Sequence, residues 1–441
     1  LKRKFFYWLT ISNFLYIIVL LILAGVTVAT ITGDNGILNN AAEAKNKTEE
    51  TQEKESLELA IISGQMEGIN TLEIDKEKLE NAIKQQFGNS KDFSVTDNRD
   101  GSFLVNMNDT QRMYYIDETG EVIDQNKILK ISTVNELKAF RDDVNSGNTY
   151  EGWYVYLAND ITLDINEEWE PIGIYQQNST NPEDEINIRF KGVFDGKFNK
   201  IIGLHTSDEL SARGLFGLIK DSTIKNVGIV DGNIQGTSRT GAIVGYAYNN
   251  SKIINCYNTS NVSTSNNYIG GIAGFIKDNT IIKNCYNNGN IRSTEGSNIG
   301  GIVGGLDSGV ISNCYNTGMV EGEYVGGISG GVYNKALIEN CYTVGDLKTG
   351  GSLALSINCA SNKLVILKNN YYLQGSVNES NDIYPQEECK CKSREEMMSL
   401  YNVLGTSFRE DKSNINNGYP ILYWQYYWYK YFFLIYKLQI Y

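Results

Sequence analysis

The chain opens on a long uninterrupted apolar stretch. From Phe5 to Gly33 no side chain carries a charge, whereas Lys2, Arg3 and Lys4 precede the stretch and Asp34 follows it. A bilayer core needs roughly 20 apolar residues to be crossed by a helix, so this run is long enough. The basic flank is retained on the cytoplasmic side, which puts the bulk of the chain outside, and Tyr7 and Trp8 suit the interfacial belt. A cleaved signal peptide is the rival reading. The apolar run is long for one, and the Ala-x-Ala at Ala42-Glu43-Ala44 lies well past its end. Residues 1–33 are therefore expected to form a single-pass membrane helix.

The pattern then changes to that of a solvated helix. Ala41 to Gly64 is rich in Ala, Glu, Lys and Gln, which are good helix formers. Glu43–Lys47 and Glu50–Lys54 stand at i,i+4 spacing and support a stalk. Between Lys91 and Ile123, segments such as SFLVNMN and RMYYIDETGEVI alternate apolar and polar positions. Alternation with period two predicts a small antiparallel sheet, with a turn at Thr119-Gly120. Residues 34–127 are read as this stalk and a small α+β region. Thr133 to Glu136 then forms a capping box that starts a helix reaching Val144.

From about Gly203 to Tyr372 the pattern repeats, with a period in the range that marks solenoids and arrays. One anchor is a glycine box: RGLFG ending at Gly217, GAIVG at Gly245, GGIAG at Gly274, GGIVG at Gly304 and GGISG at Gly330. Leu215, Ile243, Ile272, Ile302 and Ile328 share one column of it. The other anchor is I-x-N-C-Y, ending at Tyr257, Tyr286, Tyr315 and Tyr342, with degenerate copies at Ile224–Gly228 and Leu367–Tyr371. Its Cys positions are 29, 29 and 27 residues apart. The apolar runs within a repeat are too short for helices and are bounded by Gly or Asn, so they read as strands.

One such repeat cannot bury its own apolar face. Stacking identical coils about 4.8 Å apart pairs each strand with its copies above and below, which yields a right-handed parallel β-helix with one repeat per coil. The column Ile224, Ile253, Ile282, Ile311, Ile338 and Leu367 fills the core. Asn226, Asn255, Asn284, Asn313, Asn340 and Asn369 stand at a corner, where Asn tolerates the left-handed conformation and can bond to the next Asn along the axis. Cys256, Cys285, Cys314 and Cys341 then point inward as small fillers. Adjacent coils bring such Cys within disulfide range, but the same positions also hold Val227 and Asn370, which favours free thiols. Tyr257, Tyr286, Tyr315, Tyr342 and Tyr371 point outward and stack in a file. Such a file either stabilises the stack as cross-strand aromatic pairs do, or offers exposed rings to sugars or to a partner surface. It is the candidate ligand-binding feature.

Composition narrows the chemistry. Forty-three Gly against four Pro suits a turn-rich fold, and the hydrophobic content of 41% supports a sizeable core. The net charge is −13, and no basic cluster occurs beyond residues 2–4, so no nucleic-acid partner is expected. A zinc protease needs H-E-x-x-H, yet His205 is the single His. A glycan-cleaving β-helix needs carboxylates gathered on one face. Asp221, Asp278 and Asp307 follow glycine boxes as turn residues do, and the denser set Glu167, Glu168, Glu170, Glu183, Asp184 and Asp195 sits ahead of the repeats. Cys389-x-Cys391 supplies too few ligands for a metal site alone. No catalytic residue, metal or cofactor is expected. The run from Tyr426 to Tyr441, with Lys430 and Lys437, is short for a membrane span and fits an interfacial segment, a buried cap or a tail.

Two resemblances add to this reading. The string from Ile17 to Glu55 resembles the N-terminal helix of pilin-like proteins of Gram-positive bacteria, although Lys4-Phe5-Phe6-Tyr7-Trp8 stands where type IV pilins carry a Phe-Thr-Leu-Ile-Glu start. It implies a capacity for self-assembly through that helix. The repeats resemble the GLUG motif of bacterial surface adhesins, also found beside IgA1-protease-like metalloproteases. That likeness spans about Ile131 to Trp424 and takes in NDITL at Asn159, WEPIG at Trp169, FKGVFDG at Phe190 and the tail phrase NNGYPILYWQ. It implies a β-helical surface protein. The expected plan is a lead-in and cap over 128–202, the repeat β-helix over 203–375, a C-terminal cap over 376–425 and an aromatic tail over 426–441. The expected role is a membrane-anchored cell-surface protein for adhesion or for scaffolding and spacing, with glycans or host or cell-surface proteins as partners. The alternatives are a pilin-like filament subunit and a carbohydrate-active β-helix enzyme.

Overall fold

In the computed structural model, the described residues are 37–66, 75–88, 92–97, 103–116, 120, 122–176, 181–184, 187–207, 209–355, 357, 365–376 and 389–426. They fall into two units, split between Asn126 and Lys127. The expected membrane segment, residues 5–33, and the tail from 427 onward lie outside the described residues. Among the described residues, no helix is long and apolar enough to cross a membrane.

The first unit is α+β. Helix α1 (Ile37–Met66) and helix α2 (Lys76–Phe87) pack against an antiparallel meander of β1 (Phe93–Asp97), β2 (Phe103–Met107), β3 (Arg112–Ile116) and β4 (Val122–Asp124). The i,i+4 spacing of opposite charges along α1 gives Lys45–Glu49 and Lys54–Glu58 at 3.7 and 3.8 Å. Asp75 caps α2 by accepting from the Lys78 amide at 2.8 Å, and that bond holds its carboxyl below the usual range. Leu57, Ala60 and Ile61 of α1 and Leu79 and Ile83 of α2 meet Val95, Val105, Tyr114 and Ile116 of the sheet. One carboxylate enters this core. Glu53 accepts from the Tyr114 hydroxyl at 3.1 Å and from the Thr110 hydroxyl at 3.0 Å, with Arg112 at 3.4 Å, so its charge is compensated where it is buried.

The second unit is a parallel β-solenoid. One nine-stranded sheet runs from Ile128–Ile131 to Val365–Lys368, and another runs from Ile161–Thr162 to Cys389–Lys392. A five-stranded sheet from Phe216–Lys220 to Ser329–Val332 carries the closing glycines of the boxes, and a further sheet starting at His205–Thr206 closes the coil. The strands of all four are parallel to their neighbours. At about 4.8 Å per coil, nine strands make a rod about 40 Å long.

Helix α3 (Val134–Asn145) starts at Thr133 with both capping-box bonds formed. Its Leu137, Phe140 and Val144 enter the solenoid core, and Phe140 meets Phe190 edge-on at 5.7 Å. The apolar ends of the first coils are thereby covered, which a solenoid needs at its terminus.

Register explains why the core is continuous. Ile224 pairs with Ile253, Ile253 with Ile282, Ile282 with Ile311, Ile311 with Ile338, and Ile338 with Leu367. Leu215, Ile243, Ile272, Ile302 and Ile328 are all fully buried. Each such side chain contributes about 2–3 kcal/mol by leaving water. The closing glycines of the box are required by proximity. A Cβ on Gly274 would collide with the backbone of Arg239, and one on Gly304 with the backbone at Tyr268-Ile269 in the preceding coil.

Candidate functional site

The N-C-Y corner is the feature that the sequence singles out. All six Asn of its first column adopt left-handed φ, between 52° and 56°. The backbone turns there, and the side chain is left free to point along the rod axis. Asn255 Nδ2 donates to Asn226 Oδ1 at 2.9 Å, Asn313 to Asn284 at 3.2 Å, and Asn369 to Asn340 at 2.7 Å. At the head of the column stands Asp195 of the FDG segment, which accepts from Asn226 Nδ2 at 3.0 Å and from the Tyr154 hydroxyl at 2.6 Å. Lys197 and Lys225 approach the same carboxylate at 3.5 and 3.8 Å. The buried charge is thus compensated by cations and hydrogen bonds together.

The next position points inward. Cys256, Cys285, Cys314 and Cys341 are fully buried free thiols. Each lies within 3.2–3.3 Å of the carbonyl two residues earlier, which its S–H can reach. The Cys285 sulfur accepts the Cys256 amide, and the Cys341 sulfur accepts that of Cys314, both at 3.4 Å. Burial among Ile side chains pushes the Cys285 and Cys341 thiols up, since it penalises the thiolate. Cys389 pairs in register with Asn370 and continues the column.

The tyrosine file forms, but it is not exposed. Successive rings from Tyr257 to Tyr342 stack with centroids 5.0 Å apart and planes within 12°. Tyr286 is nevertheless 9% exposed and Tyr315 and Tyr342 are 0% exposed, and Tyr257 and Tyr371 are also buried. The expectation of an open aromatic face is corrected here. The coil directs these rings outward, and the segment 389–426 then doubles back along the file and covers it.

Met397, Leu400, Leu404, Phe408, Tyr419 and Leu422 of this segment pack on the rings. After the strand Cys389–Lys392 comes the short helix α4 (Arg394–Met398), whose own capping box is closed by Ser393 and Glu396. Polar groups fix its register. Gln425 Nε2 donates to the Tyr315 hydroxyl at 2.9 Å, and Asn416 Nδ2 donates to the Tyr342 hydroxyl at 2.8 Å, while that hydroxyl donates to the Pro420 carbonyl. Asn313 Nδ2 reaches Ser407 Oγ at 3.0 Å, and Asn369 Nδ2 reaches the Val403 carbonyl at 2.9 Å. Burial raises the Tyr286, Tyr315 and Tyr342 hydroxyls above their ordinary range.

A second amide ladder escaped the sequence reading. Asn258 Nδ2 donates to Asn287 Oδ1 and Asn287 Nδ2 to Asn316 Oδ1, each at 2.8 Å, and Thr343 ends the series. These side chains are fully buried inside the coil, and a Cβ on Gly271 would collide with Asn287. The signal was the polar residue that follows every Cys-Tyr pair. Alternation places it inward once Tyr faces outward.

The acids ahead of the repeats are tied into separate contacts. Glu167 pairs with Lys138, Glu183 with Lys220, and Glu168 with Arg213 at 2.9 Å. The Ser207 hydroxyl and amide, aided by Arg213, hold Glu168 below the usual carboxylate range. His205 lies in a strand pairing with Asn233. Among the described residues no group of three or more His, Cys, Asp or Glu is placed to hold a metal ion.

In-register parallel coils, amide ladders and a covered aromatic file define the class: a repeat-built parallel β-solenoid. Within it, residues 236–263 and 295–320 match the GLUG motif, so this is a GLUG-containing protein. No curated protein matches the chain in sequence. Among solved structures, it is similar to a candidate immunoglobulin A1 protease from Bacteroides ovatus, at 26% identity over 68% of this chain and 93% of that one, with a TM-score of 0.52. An IgA1 protease also aligns, at 14% identity over 64% of this chain and 25% of that one, with a TM-score of 0.35.

Proposed function

We propose that this chain is a cell-surface scaffold: a rigid solenoid held outside the cell by residues 5–33 in the membrane, which offers its outer faces to glycans or to proteins of the host or cell surface. The observation that carries this reading is the uniform interior. From Ile224 to Leu367 every coil sets the same apolar column over the last, in register. A solenoid built in this way transmits position along its axis and leaves the outer faces that 389–426 does not cover available for binding. The charge-free stretch from Phe5 to Gly33 supports the anchor, and the acidic net charge of −13 suits an exposed, solvated surface.

The Bacteroides ovatus structure bears the name of a protease, and we do not extend zinc-peptidase chemistry from it to this chain. His205 is the single His of this chain, and a zinc peptidase helix requires two. A second reading is favoured by the first unit, where the 30-residue helix α1 lies against a four-stranded antiparallel meander. That arrangement suits a pilin-like subunit whose helices bundle in a filament.

The test is to produce the full chain with an epitope after Tyr441 in a Gram-positive host and to treat intact cells with protease. The scaffold reading expects loss of the epitope from intact cells and retention of a short membrane-bound fragment. Protection from the protease would overturn it. Sheared filaments containing the chain with a trimmed N-terminus would favour the pilin-like reading.

A further inference from the structure

One corner of the coil changes length along the rod. Ile234 and Thr240, Val262 and Ile269, and Ile291 and Ile299 occupy the same two register positions in successive coils, six, seven and eight residues apart. In the following coil the partners of Ile291 and Ile299 are Val320 and Val325, only five apart. The strand Val320–Gly326 runs straight through where earlier coils have a loop, and Leu347–Leu355 lies along it. The same contraction shortens the Cys314–Cys341 spacing to 27 residues.

The loop at 294–298 therefore projects over a flattened neighbour. Beneath it is a cleft of about 490 Å³, lined by Arg292, Thr294 and Glu295 on one side and by Glu321, Glu323 and Lys348 on the other. That volume is within the roughly 300–1,000 Å³ of small-ligand sites. The floor is closed by Gly322, where a Cβ would come within 2.7 Å of Ile299 Cδ1, beside a register shift between Gly322 and Tyr324. Such irregularities re-aim side chains at the edges of sites.

The lining decides the chemistry. No aromatic or aliphatic side chain is part of it. Arg292 Nε stands 3.6 Å from Glu321 Oε2, and Glu321 faces Lys348 in register. Cation, anion and cation thus alternate along the axis at about 4.8 Å, the coil spacing. The column compensates itself and leaves donors and acceptors interleaved. Sugar hydroxyls need both, because each donates and accepts. Three carboxylates against two cations disfavour an anionic ligand, and the missing apolar subsites disfavour a peptide.

We infer that this cleft binds a segment of a neutral glycan chain. The inference rests on the scaffold reading and gives it a site. The test is titration of the full chain, in detergent, with cellohexaose, chitohexaose and mannohexaose, and in parallel with a hyaluronan hexasaccharide and a basic peptide. The expected result is binding of at least one neutral hexasaccharide, weakened at least tenfold in Arg292→Ala and Glu321→Ala. Ser263→Ala, which occupies the same outward column one coil before Arg292 and outside the cleft, should leave it unchanged. Binding only of hyaluronan or of the peptide, no binding at all, or binding indifferent to both cleft variants would overturn the inference. Surface display of the same variants separates the two ideas: a displayed chain that binds no neutral glycan sinks the cleft and spares the scaffold.

Discussion

The indole of Trp424 lies on the ring of Tyr286, with centroids 5.8 Å apart and planes 24° from parallel, and its Nε1–H donates to the Asn284 carbonyl at 3.0 Å. This pair fastens the end of the covering segment to coils more than a hundred residues earlier. Trp424→Ala removes both contacts and should cost about 3 kcal/mol, typical of deleting a large packed ring. The check is urea unfolding, together with limited proteolysis, in which cleavage within 389–426 should become faster. An unchanged midpoint would mean that the cover is held elsewhere.

Asn284 sits at φ +55° and accepts from Asn313. Ala there meets the left-handed penalty of about 1–2 kcal/mol and also loses the ladder bond. Gly loses the bond but not the backbone conformation. Asn284→Ala should therefore destabilise by about 2 kcal/mol and Asn284→Gly by about half as much. Equal losses would show that the backbone conformation is not what selects Asn.

The four Cys of the inner column are sealed from solvent, and burial raises the thiols of Cys285 and Cys341. Alkylation by iodoacetamide at pH 8 should spare Cys256, Cys285, Cys314 and Cys341 in the native chain and modify all four in denaturant, as read by peptide mass spectrometry. Reductant should leave the melting temperature where it is. A reductant-dependent drop would indicate disulfides.

Alkaline pH tests the covered file. A tyrosine in the unfolded chain ionises near pH 10, whereas burial raises Tyr286, Tyr315 and Tyr342 above that, and on another face it pushes Tyr248 up to about 12. Above pH 10 the unfolded chain has released these protons and the native chain has not. The unfolded state then binds fewer protons, so stability falls as pH rises. The contribution is whole below pH 10 and is lost as pH climbs through the native values. Absorbance at 295 nm should show a late tyrosinate step that coincides with loss of the β signal in circular dichroism. Ionisation of all tyrosines near pH 10 with the fold intact would contradict the burial.

A Cβ on Gly304 meets the backbone at Tyr268-Ile269, which cannot retreat as a flexible side chain could. Gly304→Ala should cost about 3 kcal/mol or more, at or beyond the upper end of overpacking effects. Gly405→Ala is the control: nothing lies near its Cβ, so only the cost of its φ of +89° remains. Thermal unfolding of both variants decides it.

Which residues share a column can be read from the repeats without any coordinates. A repeat writes the same environment several times, and alternation around the Asn corner states which side chains enter the coil. Even the inner Asn258–Asn287–Asn316 ladder was open to that logic. What the outer faces meet is set by the folded chain and not by the repeats. The bond between Tyr315 and Gln425 joins positions 110 residues apart, and no local periodicity encodes such a return. The cleft under 294–298 likewise depends on one coil losing a corner beside another that keeps it. Repeat patterns report how each coil packs on its neighbour, whereas the exposure of an outer face depends on chain that lies outside the repeat.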